Sequence, residues 1–437
     1  MNDIPMDDIE EVGIDFGTAY SGYCFCERSN PSDILNPHWG KSGGFDTLKT
    51  PTCILFDEDG TFLDFGYEAL MAYKRIGQNN KRFFNNFKMQ LYNKNINRNT
   101  MISDSEGKPM EAMKVFSESL RYLKDHALNM IRKHTCGRTF SASDVTWALT
   151  VPAIWEPAAK QFMREAAIQG GLITETSREL FMASEQEAAS VWCKKLFRDD
   201  IPEILFGTQF IVVDCGGGTV DITVHRVVYE ISLPRQLMEL NKASGNDMGG
   251  GTVDAKFKNL LRDTFGHDLW DKYEKDHPSE VQRMMFDFTT FKCNKKMKDV
   301  YIPCHFNLIT LAQEKQDICR FFTDVQGVSW SEGSIKISFS KLEELFRESL
   351  DKIVQDIRAL IHTPELHIDC ILLVGGYASC NILQNEVKEQ FGCLCRILCP
   401  DDAQLAVAKG LVLFALRGMR ARARDPAWLS MNVFSWI

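Results

Sequence analysis

Two aspartates, each followed by a glycine-rich turn, are the residues whose types and spacing could do chemistry. The first lies in Gly13-Ile14-Asp15-Phe16-Gly17-Thr18. The second lies in Ile211-Val212-Val213-Asp214-Cys215-Gly216-Gly217-Gly218-Thr219-Val220-Asp221. Glycine lets backbone N–H groups approach an anion closely, and the threonine hydroxyl adds a donor, so such turns suit phosphate. A carboxylate alone repels phosphate, so its presence implies a hard cation between them. Mg2+ needs only one or two carboxylates nearby, which makes Asp15 and Asp214 candidate Mg2+ residues. Two such turns could clamp a Mg2+-triphosphate from both sides. The alternative is a pair of ordinary glycine hairpins in which Asp and Gly serve turn geometry. The repetition favours phosphate, as does a third pair, Gly375-Gly376, after the apolar run Ile371 to Val374.

The elements that must position these residues follow from the apolar pattern. Short apolar residues precede each aspartate, and β-type residues follow each turn (Tyr20 to Phe25; Val220 to Val228). Strand, turn and strand make a hairpin, not the strand–loop–helix of a P-loop. Duplication at this distance suggests two similar lobes facing one another. Between the copies, Met113, Phe116, Leu120, Leu123, Leu128 and Ile131 predict a helix over Glu111 to His134. Val145 to Val151 reads as a strand. Ala158 to Gly170 and Ser184 to Leu196 read as helices. Ile335, Ile337 and Phe339 alternate as a strand. Ser340 with Glu343 then forms a capping box for a helix running to about Ile361. Strands alternating with helices predict an α/β fold.

The chain has 437 residues, which allows about two to four domains or lobes. Hydrophobic residues make up 44% and charged residues 25%, which excludes global disorder and a fibrous fold. A formal net charge of -9 argues against a protein built to grip nucleic acid. The best apolar run, Leu405 to Leu416, carries Lys409 and reads as a buried helix, so no membrane partner is expected. The acidic start MNDIPMDDIEE does not read as a signal peptide, so a cytoplasmic location is expected. The 14 cysteines are then read as thiols. The densest cluster, Cys393, Cys395 and Cys399, lacks the paired spacing of a zinc site.

With these residues in view, the chain resembles the nucleotide-binding domain of the 70-kDa heat-shock chaperone family, within the actin, hexokinase and heat-shock ATPase superfamily. GIDFGTAYSG resembles that family's first phosphate motif, VVDCGGGTVDITV its second, and ILLVGGYASCNILQNEVKEQF its adenosine motif. Leu149 to Ala153 with Ala183 to Ser190 resembles the connecting segment, and Asp401-Asp402-Ala403 with Ala406 to Gly410 the closing helix. The likeness covers roughly residues 11–416 in order. Phe87-Lys88-Met89 and Trp147 to Glu156 resemble its divergent member-twelve branch. The resemblance implies a two-lobed actin-like fold of duplicated ribonuclease H-like domains with a deep nucleotide cleft. It implies lobe I at 11–205, lobe II at 206–395, a closing helix at 396–416 and a tail at 417–437.

The resemblance also implies roles. ATP or ADP with Mg2+ is the expected cofactor, and Asp15 and Asp214 would hold Mg2+ through water. Gly17, Thr18, Ala19, Tyr20, Gly216, Gly217, Gly218 and Thr219 would cradle the phosphates. Lys88 would neutralise the γ-phosphate and help place the attacking water, with Glu185 an acid near that water. Asp221 would steady the second loop. Gly249, Gly250, Gly375, Gly376, Tyr377 and Asp401 would meet the nucleoside. A solvated surface lysine is the alternative for Lys88, and a solvated helix start for Glu185.

Departures from the family pattern qualify this. Ala19 stands where a second hydroxyl is usual, and Gly251 where an acid is usual. Tyr377 and Ser379 replace a serine and a purine-facing arginine, which bears on base selectivity; aromatic stacking by Tyr377 could compensate. The stretch after Leu416, opening with four arginines, leaves no room for a client-binding domain, so protein clients are not expected. A co-chaperone or exchange factor is a candidate partner. The expected function is an ATP-binding, slowly hydrolysing chaperone-type ATPase domain. The alternatives are a regulatory nucleotide-binding module with little turnover and a small-molecule kinase of the same superfamily.

Overall fold

The computed structural model describes residues 10–424, apart from 76–80, 92–93, 95, 153–154, 177–179, 201–206, 229–235 and 294–297. Ala153 of the connecting segment and the apolar end of the chain beyond Arg424 lie outside the described residues. The chain divides into two units. Unit one is Met1–Thr208, Thr223–Ser244 and Gln404–Ile437; unit two is Gln209–Ile222 and Gly245–Ala403.

In unit one the strands Glu10–Phe16 and Tyr20–Glu27 form an antiparallel hairpin, with Asp15 opposite Gly22. Val145–Val151 runs parallel to the first strand, and Leu180–Ser184 runs parallel to Val145–Val151. Thr50–Pro51 adds to the edge of the hairpin. The central strands are buried along their whole length because helices cover both faces. Phe16 packs its ring 5.6 Å from Phe116 of the helix Ala112–His134. Gly13 points the other way by the two-residue alternation of a strand. A Cβ there would lie 2.8 Å from the Ala408 carbonyl oxygen of the helix Ala406–Arg424. That helix also meets the helix Glu185–Asp200 backbone to backbone. A Cβ on Gly410 would sit 1.7 Å from the Ala188 oxygen, so only glycine permits the approach that seats Glu185.

Two sequence expectations change here. The closing helix does not stop at Leu416 but runs to Arg424, taking the basic run into the helix. Alanine and arginine are strong helix formers, and Gly418, the one weak residue, lies against the Phe181 ring. The cap of the long helix Phe339–Ile361 is Ser338, not Ser340. The Ser338 hydroxyl accepts from the Lys341 amide, and the Phe339 amide is held by Asp299 at 3.0 Å, so Phe339 opens the helix instead of ending the strand Ser334–Ile337.

Unit two is built on the strands Gln209–Cys215, Cys370–Val374 and Arg396–Leu398, paired in parallel. Cys370–Val374 lies between the other two. The helices Phe339–Ile361 and Asn381–Phe391 pack on one another. A three-stranded antiparallel sheet, Val300–Pro303, Ser334–Ile337 and Val328–Ser331, accompanies the helices Gly250–Phe265, His267–Asp276 and Pro278–Lys292. The fold is mixed α/β, and no helix among the described residues is long and apolar enough to cross a membrane.

Burial sets an acid sensitivity in unit one. His126 bonds Tyr23 at 2.7 Å and stacks on Trp39, and burial holds its pKa down to about 4. His225 sits beside the Thr223 hydroxyl and is likewise held at about 4 by burial. Both fall below the unfolded value of about 6.5. Their contribution to stability is therefore present above about pH 6.5 and is lost as pH falls toward 4. Glu187, raised by burial to about 7, acts in the opposite sense and gains stability on protonation. Urea midpoints at about pH 7 and about pH 5 should show a loss of about 1–2 kcal/mol per histidine, partly offset by Glu187. Glu187→Gln should steepen the loss; an unchanged slope would contradict this assignment.

Candidate functional site

The first turn is held shut by hydroxyls that sequence reasoning missed. Thr52 donates to the Gly17 carbonyl at 2.9 Å, its amide reaches the Ala19 oxygen at 2.8 Å, and Ser21 lies 2.7 Å from the Thr52 hydroxyl. Gly17 is required because a Cβ would meet the Tyr20 oxygen at 2.2 Å. Gly17, Thr18 and Ala19 are half-buried and Tyr20 is exposed, so this turn presents a surface.

Asp15 ends the first strand and is buried. Its Oδ1 accepts from Thr150 at 3.3 Å, and the same Thr150 oxygen accepts the Phe16 amide at 3.2 Å. Its Oδ2 is ion-paired with Lys49. Lys88 is not a solvated lysine: it is 4% exposed, on the short 3-10 helix Phe87–Leu91. Its ammonium donates to the Phe16 carbonyl at 2.6 Å and to Glu185 Oε1 at 2.8 Å, and lies 5.7 Å from the centre of the Trp155 ring. Glu185 opens its helix with its side chain only 12% exposed. Asp15, Lys88 and Glu185 are thus brought together around the Phe16 peptide.

The second turn is built differently. The Gly216 amide closes on the Thr219 oxygen at 2.9 Å, and the Thr219 hydroxyl donates to Asp221 at 3.1 Å. Two amides at the start of the helix Gly250–Phe265 then donate outward. Gly250 N–H reaches Gly216 O at 3.0 Å, and Gly251 N–H reaches Gly217 O at 2.7 Å. These are donors that a helix N-terminus leaves unsatisfied. Gly249 and Gly250 therefore buttress the phosphate loop: a Cβ on Gly249 would lie 2.7–2.8 Å from the loop backbone. Lys292, a buried lysine that sequence reasoning passed over, donates to the Gly250 carbonyl at 2.9 Å and pairs with Asp254. Burial holds its pKa below the usual lysine value.

Asp214 lies in the same unit, 8% exposed. Gly375 turns with φ +90, a conformation that favours glycine, and its missing side chain leaves room for that carboxylate; a Cβ would stand 2.6 Å from Asp214 Oδ1. Gly376 faces open space, and Asp401 sits in an exposed turn. Tyr377 is placed in the core. Its ring stacks on Phe346, its hydroxyl donates to Ser349 at 3.1 Å, and burial raises its pKa. Its ring is committed to that packing. Nearby, Cys293 and Cys380 are joined by a disulfide, which corrects the expectation of thiols throughout; the other twelve cysteines are thiols. Residues 87 apart in sequence carry no pairing signal until two helix ends bring them together.

The residues fit Mg2+ unequally. Asp214 lies in a glycine-lined recess and fits a cation. At Asp15 the carboxylate already has a resident ammonium on one oxygen and a hydroxyl on the other, so this turn does not call for a metal.

Comparison with known proteins identifies the chain's family. The family model described as "Hsp70 protein" matches residues 11–416. Heat shock 70 kDa protein 12A of Homo sapiens is 32% identical over 470 residues, covering 93% of this chain and 69% of that protein. Heat shock 70 kDa protein 12A of Mus musculus is similar to the same extent. Heat shock 70 kDa protein 12B of Homo sapiens is 32% identical, covering 92% of this chain and 68% of that protein. With its two Asp-and-glycine turns in place and its match spanning nearly all the described residues, the chain belongs to the Hsp70 family and carries that family's actin-like, nucleotide-binding ATPase-type domain.

Proposed function

We propose that this chain binds ATP and ADP and hydrolyses ATP slowly, in the manner of a chaperone-type ATPase domain. The observation that carries this reading is the Lys88–Glu185 pair, buried against the Phe16 carbonyl beside Asp15. A lysine and a glutamate are costly to bury, and here they sit at the turn whose glycine and threonine suit phosphate. Phosphoryl transfer to water asks little covalent work of a protein; catalysis is positioning and charge neutralisation. In this reading Lys88 supplies positive charge to the terminal phosphate. Glu185 holds Lys88 in place and accepts a hydrogen bond from the attacking water. The Gly216–Thr219 loop, braced by Gly250 and Gly251, offers backbone donors to the phosphates. Asp214 is the carboxylate that would hold Mg2+, and the ion's chemistry is to neutralise phosphate charge.

A single-turnover assay with terminally labelled ATP tests this. The expected result is release of phosphate to water at a rate below about 1 s−1, under the usual kinase range. Bound ATP recovered intact after many hours would instead mark a regulatory binding module. Label appearing on an added sugar would mark a kinase.

A further inference from the structure

Asp15 sits where a carboxylate and phosphates would repel one another, yet its counter-charge is already in the chain. Lys49 is ion-paired to Asp15 Oδ2, with side chains 15% and 5% exposed. The path of Lys49 is built. Thr50 pairs with Ser21 and Pro51 with Tyr20, which sets the backbone of the lysine against the hairpin. The Lys49 carbonyl is held by the Thr47 hydroxyl at 2.8 Å. Gly22 stands opposite Asp15 in the hairpin register, and a Cβ on it would lie 3.0 Å from Lys49 Cγ. The lysine stem therefore crosses the gap left by a glycine to reach the aspartate. The other charged pair at this turn is Lys88 with Glu185.

We propose that Lys49 is the built-in counter-cation of the Asp15 turn and takes the place of a metal ion at that carboxylate, so that only Asp214 links nucleotide binding to Mg2+. This rests on the nucleotide-binding reading above. An ammonium is a compact, strongly hydrated charge that serves phosphate as a point cation. Held over Asp15 by a short β-bridge, it cancels the carboxylate without requiring a metal.

The experiment compares the dissociation constant of a fluorescent ADP in Mg2+ and in EDTA, for the full chain and its variants. Asp15→Asn is expected to leave the ratio of the two constants within about twofold of wild type, whereas Asp214→Asn abolishes the Mg2+ dependence. Lys49→Met, which exposes the Asp15 charge, is expected to raise the ratio about tenfold (about 1.4 kcal/mol), and Lys49→Arg to restore it. A loss of Mg2+ dependence in Asp15→Asn, or no change in Lys49→Met, overturns the proposal while leaving nucleotide binding in place. Absence of ADP binding in every condition overturns both readings.

A second measurement needs neither nucleotide nor a stable Lys49→Met protein. Amine acylation mapped by mass spectrometry should modify Lys49 about tenfold more slowly than exposed Lys41. Asp15→Asn should remove that protection. Equal labelling of Lys49 and Lys41 in wild type overturns the pairing.

Discussion

Replacing Lys88 by methionine is expected to lower ATP turnover by about a hundredfold or more and to destabilise unit one. The first effect follows from the role of a cation in phosphoryl transfer, where removing one charge-stabilising group typically costs a factor of about 10²–10³. The second follows from burial. Lys88 is 4% exposed and Glu185 loses its ammonium partner, and breaking a buried pair on one side typically costs about 3–5 kcal/mol. The two effects can be separated. Lys88→Met combined with Glu185→Gln removes both charges, so it should recover much of the stability measured by urea denaturation but none of the turnover. A loss under about 1 kcal/mol for the single variant is what an exposed pair gives. That result, with turnover intact, would return Lys88 to the status of an ordinary lysine.

Asp214→Asn is expected to weaken nucleotide binding in the presence of Mg2+ by about tenfold or more, or turnover by about a hundredfold, while the melting temperature shifts by only a few degrees. Asparagine has nearly the shape of aspartate, so the recess beside Gly375 stays filled and the strand Gln209–Cys215 keeps its pairing. What changes is a full negative charge beside the phosphate loop. Calorimetric titration with ADP and thermal denaturation on the same preparation decide it. Parallel losses of stability and binding would mean that Asp214 serves the turn and not the ligand.

Much of this site was legible in the sequence because its signals are local. A strand, an aspartate and a glycine turn are written in consecutive residues, since backbone geometry at a turn is set by the few side chains that allow it. The hairpin Glu10–Phe16 with Tyr20–Glu27, the strand Val145–Val151 and the helix Ala112–His134 were therefore readable, as was the order of the motifs that places the chain in its family. Serine caps were readable only to within a residue or two. Ser338 and Ser340 are chemically alike, and the choice was made by Asp299 taking the Phe339 amide.

What the tertiary structure alone decided is which side chains lose water and which partners they then need. Lys88 finds Phe16 across 72 residues and Glu185 across 97, and nothing near Lys88 in sequence announces its burial. Lys49 reaches Asp15 only because an edge strand lays it over Gly22. Lys292 supports the second loop from the end of a helix that starts beyond residue 277. Tyr377 follows a glycine turn that sequence places at the nucleoside, yet its ring is drawn into the core against Phe346 and Ser349. The physical reason is the same in each case. Turn chemistry is set by short-range sterics and can be read along the chain, whereas a charge or ring is assigned its role by desolvation, which depends on elements that meet only when the chain has folded.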